Sequence, residues 1–333
     1  MRRRSWWRLA LGRFRSNKLA MFGVFLIILY AVAAIAHPIL MATVWNRATY
    51  DPIFGHDDII IEKTVVEELT DDATQIQLMR ARMVNPFVVV GDTVSEVTLP
   101  EPFTIRHPLG VDNLGRDVLS MVLAASTPSF VVGLAAAVTT AIVGLAVATI
   151  SAYRRGATDM LMTEVSDTLQ LLPAPLLMVI LGAGPLRDSL NPLAFGVVYG
   201  VVSGASGAAI VLRSQALTIL SRPFIDATRV AGAGAKQIIL KHLLPHLVPV
   251  AALYMLIGAS GAIVADGFVS FLGFSDTRLN WGTIIFFALS LPPANRAGIP
   301  WEAIIAAAMA ISLFSAAFYL VGLGFRDIAR ATD

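Results

Sequence analysis

No cysteine occurs anywhere in the sequence, which excludes a disulfide framework, a thiolate-bound metal and a cysteine nucleophile, and leaves the redox compartment unread. Charge is scarce as well. Only 14% of the 333 residues are Asp, Glu, Lys or Arg, against roughly 25% in a soluble domain, so an ordinary water-soluble globule is excluded. Hydrophobic residues fill the gap, at 56% of the chain. The formal net charge of +2 says little by itself; where the charges fall says more.

Apolar runs long enough to cross about 30 Å of hydrocarbon fall near residues 19–40, 128–152, 160–184, 193–215, 247–274 and 301–324. The expectation is an all-α polytopic membrane protein with six transmembrane helices. The third run is the least regular, because Glu164, Asp167 and Gln170 interrupt its first half and Pro173 and Pro175 its middle. Orientation follows from Lys and Arg. Residues 1–18 carry Arg2, Arg3, Arg4, Arg8, Arg13, Arg15 and Lys18 with no acid, and Trp6, Trp7 and Phe14 suit an amphipathic segment lying at a cytoplasmic interface. Threading the spans puts Arg154, Arg155, Arg213, Arg222, Arg229, Lys236, Lys241, Arg326 and Arg330 on that same side, with both termini. Residues 41–117, by contrast, hold thirteen of the 23 acids against six Lys or Arg. A cleaved signal peptide would share the basic-then-apolar order, but the run is too long and no small-residue cleavage site stands out before Trp45. A retained anchor is expected.

Residues 41–106 form a long outer segment, and segments of that length usually carry structure of their own. Glu62 to Met83 reads as a helix with Val65, Leu69, Ile76 and Met79 or Met83 on its apolar face. Phe87–Val90 and Val97–Leu99 read as short strands around Gly91-Asp92. Together they predict a small extracytoplasmic α/β insertion between spans 1 and 2, followed by a membrane core over residues 107–333.

The polar stretch between spans 4 and 5, residues 216–245, is the most informative loop. Ser221 can cap a helix, Pro223 suits its first turn, and Gly232 and Gly234 can end it. Phe224, Ala227 and Ala231 then fall on one face, and Arg222, Asp226 and Arg229 on another. Such a peg is either a docking surface or a solvated connector. Chemistry of its own is not expected. Val230–Gln237 lacks the GxxxxGK[ST] spacing of a phosphate loop, and His242 and His246 lack the Glu and the unbroken helix of a zinc pair. No catalytic residue, metal site or nucleic-acid surface is predicted. Acids at membrane depth normally face protein or water, which singles out Asp266 and Asp167 as pathway or gate candidates, with a structural role equally open for Asp266. Glu164 and Asp167 also suit pairing with inner-surface Arg residues. Gly133, Ala137, Ala141 and Gly144 in span 2, and Gly200, Gly204 and Gly207 in span 4, suit close helix packing.

Several motifs carry a resemblance. His107-Pro108-Leu109-Gly110-Val111-Asp112-Asn113-Leu114-Gly115-Arg116-Asp117-Val118-Leu119-Ser120 is similar to the HPLGTDxxGRDVLS signature of the C-type permease subunit in the dipeptide, oligopeptide and nickel branch of ABC importers. The stretch from Asp226 to Gly232, closed by Leu244-Pro245, resembles the EAA loop of such permeases, with Asp226 in place of Glu and Thr228 in place of the second Ala. Ser270–Phe274 followed by Trp281-Gly282, the terminal Gly322–Asp327, and Phe14–Ala20 match further. The outer segment is larger than the family's loop.

This resemblance implies the type I ABC-importer permease fold in a bacterial cytoplasmic membrane. It also implies a heterodimer with a second, homologous permease, two cytoplasmic ATPase subunits that bind ATP and Mg²⁺, and an external solute-binding protein. This chain would hold no cofactor. Its ATPase-coupling residues would be Arg222, Phe224, Asp226, Ala227, Arg229, Gly232 and Gly234. Gly110, Asp112, Gly115, Arg116 and Asp117 would form the outer signature, either fixing a bend into span 2 or touching a binding protein or substrate. Peptides are the expected cargo, with nickel chelates and other small solutes open. Two other classes fit the composition: a carrier driven by an ion gradient through Asp266 or Asp167, and a membrane-anchored scaffold working through its acidic outer segment. The capped peg and the lack of an evident inverted repeat favour the importer over the carrier.

Overall fold

The computed structural model describes residues 12, 14–55, 59–68, 72–98, 104–112, 114–184, 189–274, 279–290 and 299–330. Most of the predicted interfacial segment, including Trp6, Trp7 and Arg8, and also Leu69 and Asp71, therefore lie outside the described residues. In chain order the elements are α1 (Lys18–Thr43), α2 (Arg47–Tyr50), β1 (Ile59–Thr64), α3 (Asp72–Val84), β2 (Thr93–Thr98), α4 (Val118–Arg154), α5 (Gly156–Leu171), α6 (Ala174–Ala183) and α7 (Pro192–Ser203). A π turn (Gly204–Ala208) leads into α8 (Ala209–Leu220), then come α9 (Pro223–Val230), α10 (Ala235–Ile238), a second π turn (Ile239–Leu243), α11 (Leu244–Phe271), α12 (Trp281–Ser290) and α13 (Trp301–Arg330).

The chain is a helical, polytopic membrane protein. Among the described residues, five helical stretches are long and apolar enough to cross a bilayer, and α5 with α6, bent by 86°, makes a sixth if the two halves are one span. The bend has a local cause: Pro173 cannot continue the helix and holds Leu172 in an extended conformation. α12, a shorter apolar helix, was not foreseen.

One compact unit comprises residues 1–40, 122–286 and 307–333. Asn17 starts α1 by accepting the amides of Leu19 and Ala20, each at 3.1 Å. Asn191 does the same for Ala194 at the start of α7, at 2.9 Å. Of the small residues expected to pack in span 4, Gly200 and Gly204 meet α4, as Gly196 does, whereas Gly207 meets Gln170 of α5. A Cβ on Gly196, Gly200 or Gly204 would sit 2.5, 2.6 or 2.8 Å from atoms of α4, so the two backbones approach too closely for any side chain there. One apolar core joins Val132 and Ala136 of α4, Met178 of α6, Phe195 and Tyr199 of α7 and Ala262, Ala265 and Val269 of α11. A second joins Ala148 and Ala152 of α4 to α8, Ile225 of α9, Ile238 of α10 and Leu247 of α11.

The other unit comprises residues 41–121 and 287–306, so the signature segment groups with residues 41–106 instead of starting the core at 107. Here β1 and β2 pair antiparallel, Ile59 opposite Thr98 through Thr64 opposite Thr93. Two expectations fail in detail. The predicted helix from Glu62 begins only at Asp72, because Glu62–Thr64 belong to β1. Phe87–Val90 is a turn region, not a strand; β2 is Thr93–Thr98. The helix face is also rotated. Thr74 and Leu78 are buried, with Ala81 packed beside them against Val65 and Val88, whereas Ile76, Met79 and Met83 are exposed.

Candidate functional site

The 216–245 loop folds into a short helical hairpin. α9 ends in a Schellman turn: the amide of Ala233 donates to Thr228 O at 3.1 Å and that of Gly232 to Arg229 O at 2.9 Å. This geometry demands a left-handed residue, and Gly232 has φ +84°. The start differs from the expectation. Arg222 occupies the cap position, while the Ser221 hydroxyl donates back to Thr218 O and closes α8.

The face assignment also changes. Ile225 is the fully buried anchor, and Phe224, Ala227 and Ala231 point outward. An eight-residue helix with one anchor leaves most of its circumference outside, so the apolar face assigned from periodicity is the free one. Val230 is 90% exposed. Arg229 Nη1 donates to Asp226 Oδ1 at 3.0 Å, and the Phe224 ring lies 6.1 and 6.3 Å from those of His242 and His246. Gly234 is exposed and meets nothing where a Cβ would be. His246 Nδ1 bonds His242 O at 2.6 Å.

The signature segment is the opposite case. Asp112 accepts Arg116 Nε at 2.8 Å and Nη2 at 2.5 Å, and its other oxygen accepts the amides of Leu114 and Arg116 at 2.9 Å. Gly110 and Gly115, at φ +73° and +78°, allow the chain to fold round this pair. The Arg116 guanidinium lies 5.2 Å from the centre of the Phe287 ring. Asp117 caps α4 by accepting the Ser120 amide at 2.7 Å and bonds His107 Nδ1 at 2.8 Å. Burial pushes the Asp117 carboxyl above the usual range, and its bonds with His107 and the Ser120 amide pull it partly back. His107, Asp112, Arg116 and Asp117 are all buried. This arrangement fixes a bend; its polar groups face one another.

Asp266 is buried near the end of α11 and accepts Asn280 Nδ2 at 3.0 Å. Asn280 heads α12 in a reciprocal cap: its Oδ1 accepts the Thr283 amide, and Thr283 Oγ1 accepts the Asn280 amide, both at 2.9 Å. Its Nδ2 also reaches Ser270 Oγ at 2.5 Å. Asn280 was missed, although an Asn three residues before a Thr at an apolar run was the signal. Asp167 and Glu164 are exposed on α5. On α5, among the described residues, the acid that hydrogen-bonds an arginine is Asp159, which accepts Arg213 Nε and Nη2 at 2.6 Å each, while Asp167 acts on Arg213 through its charge. The structure does not bring Asp167 and Asp266 into one described cluster.

Residues 140–328 match the family described as the binding-protein-dependent transport system inner membrane component. The chain belongs to this family. Residues 5–56 of this permease also match the N-terminal transmembrane domain of oligopeptide transport permease C. It is 27% identical over 326 residues to the oligopeptide transport system permease protein OppC of Bacillus subtilis (strain 168), covering 97% of this chain and 88% of that protein. The OppC protein of Haemophilus influenzae is 30% identical over 230 residues, 68% of this chain and 71% of that one. The dipeptide transport system permease protein DppC of Bacillus subtilis is 29% identical over 249 residues, 73% of each chain. The ABC-permease resemblance carried by the sequence motifs is met, and with it a multi-pass place in the inner membrane.

Proposed function

We propose that this permease forms half of the translocation pathway of an ATP-driven, binding-protein-dependent importer of di- or oligopeptides. The observation that carries this reading is the hairpin of α9: a helix anchored by one buried residue, Ile225, closed by a left-handed Gly232, and presenting Phe224, Ala227 and Val230 outward. An exposed apolar face on a short, rigidly capped helix suits a groove on another protein. On this reading the groove belongs to an ATPase subunit that binds ATP and Mg²⁺, and Arg222, Asp226 and Arg229 form the polar rim of the contact. A second, homologous permease completes the pathway, and an external solute-binding protein delivers the cargo.

The six-span arrangement, with both termini and α9 cytoplasmic, follows from the Lys and Arg distribution and from counting α5 and α6 as one span. The similarity to oligopeptide and dipeptide permeases supports peptides as cargo. Asp167, exposed on α5, is a pathway candidate; Asp266, buried among Asn280 and Ser270, suits a fixed joint between α11 and α12 better than a mobile proton site. Replacing Gly232 with Trp tests the reading. Uptake should fall while ATP hydrolysis continues and the permease stays in the membrane. Normal uptake by Gly232→Trp would remove α9 as the coupling element.

A further inference from the structure

Two spans break at the same level. α5 ends at the 86° bend, and α7 passes into α8 through a π turn in which Ser206, at φ −95° and ψ −112°, is not helical. The breaks adjoin: a Cβ on Gly207 would lie 3.0 Å from Gln170 Oε1.

On either side of this level the helices are joined by different chemistry. α6 and α7 share an apolar core through Met178, Phe195 and Tyr199. The core that runs from Ile225 through Leu220, Ala216 and Leu212 of α8 into α4 and α11 includes, among the described residues, none from α5. The ion pair that joins α5 to α8 lies outside that core. Arg213 of α8 grips Asp159 of α5 with two 2.6 Å bonds and donates to Ser151 Oγ of α4 at 3.1 Å, while Ser151 and Asp159 also bond each other. Bidentate charge-assisted pairs are strong and fix orientation. Next to the pair lies a cavity of about 20 Å³ lined by Met162, Thr163, Ile210 and Arg213, and Thr163 Oγ1 is buried without a hydrogen-bond partner. Packing between the helices is incomplete at this point. α5 is also jointed at its start, where Arg155 and Gly156 have φ +51° and +62°; a non-glycine residue in that region marks a backbone held by its surroundings.

We propose that the Arg213–Asp159 pair is a strut that makes α5 follow α8. Displacement of α9, joined to α8 by the two-residue turn Ser221-Arg222, would turn α5 between its joints at Arg155-Gly156 and Leu172-Pro173, while α6 and α7 stay with their own core. Arg213 and Asp159 are thus positioning residues that carry motion from the coupling hairpin to the wall of the pathway on which Asp167 sits. The proposal rests on the reading of α9 as the ATPase-driven element.

The test uses the assembled transporter in lipid nanodiscs, with spin-label pairs on exposed positions. One pair, Met160 and Gln215, spans the strut; the other, Met160 and Ile180, spans the bend. On adding ATP the strut pair should hold its distance to within about 2 Å, the scale of small helix shifts, while the bend pair changes by more. In Asp159→Asn the strut pair should change with nucleotide, and uptake should fall about tenfold, within the usual range of coupling effects, at an ATPase rate near wild type. A strut pair that moves as much as the bend pair in the unaltered transporter, or a bend pair that does not move, overturns the proposal. So does Asp159→Asn with normal coupling, or with uptake and hydrolysis reduced in proportion. If Asp159→Asn fails to assemble, the distances in the unaltered protein decide alone. Failure of the α9 reading shows separately, as normal uptake by Gly232→Trp.

Discussion

Two loops of this permease use the same residue types to opposite ends. In the signature segment, Asp112 and Arg116 form a pair with side chains only 4% and 7% exposed; in the α9 hairpin, Asp226 and Arg229 form one 66% and 46% exposed. Both loops turn on a glycine with positive φ. The difference lies in what the polar atoms have left to do. Asp112 spends its oxygens on one guanidinium and two amides, so it builds a bend. Asp226 and its neighbours stand around exposed apolar carbon, an arrangement suited to meeting another protein.

The largest predicted effect is in the buried pair. Arg116→Ala should destabilise the protein by about 3–5 kcal/mol, because it leaves the Asp112 carboxylate buried without its counter-charge; thermal unfolding in detergent measures this. Asp226→Asn, at the exposed pair, should cost no more than about 1 kcal/mol and change coupling more than stability. Comparable losses at the two pairs would erase the contrast. Gly232→Ala comes next, at about 1 kcal/mol for a Cβ in the left-handed region, with coupling impaired in proportion to the loss of the hairpin turn.

Asp117→Asn sharpens the signature side. Asn keeps an acceptor for the Ser120 amide but carries no charge, so the loss should be smaller than in Arg116→Ala. The sign with pH follows from the raised carboxyl. The folded state favours its protonated form, so its contribution is complete below the unfolded value of about 3.9 and fades as pH rises through the raised one. The variant should therefore gain on the parent as pH rises across that interval, and a parallel pair of stability curves would count against a buried charge there.

Much of this contrast was legible in the sequence, in the particular sense that glycines were. Gly110, Gly115 and Gly232 mark turns because few other residues tolerate the left-handed region, and all three adopt it. Phases were harder to read. On α9 the residue in the core is Ile225, one position from the assigned face, since eight residues give barely two turns from which to judge a stripe. On α3 the assigned face failed because the strand β1 had taken Glu62–Thr64 and moved the helix start. Partners across the chain were not legible at all. Asp159 and Arg213 are 54 residues apart, and the expectation of an arginine partner falls on Glu164 and Asp167 instead.

The remaining contrast is between sides of the membrane. Met79→Cys, on the exposed face of α3, should react with an impermeant label applied to intact cells, whereas Ser221→Cys should not; labelling at Ser221 would reverse the proposed orientation. The smallest expected effect is in the acidic run Glu67, Glu68, Asp71 and Asp72. If it steers a binding protein, neutralising all four should slow association at low salt and matter little at physiological salt, where screening sets in beyond about 8 Å. An unchanged rate at low salt would leave these residues the role of a solvated acidic face.

The most direct measurement compares the two loops in one experiment, by placing a photo-cross-linking residue at Val230 of the hairpin or at exposed Leu114 of the signature segment in the assembled transporter. The account predicts a covalent product between Val230 and an ATPase subunit, and none from Leu114. An ATPase adduct at Leu114, or none at Val230 in a complex that still hydrolyses ATP and transports, would contradict it.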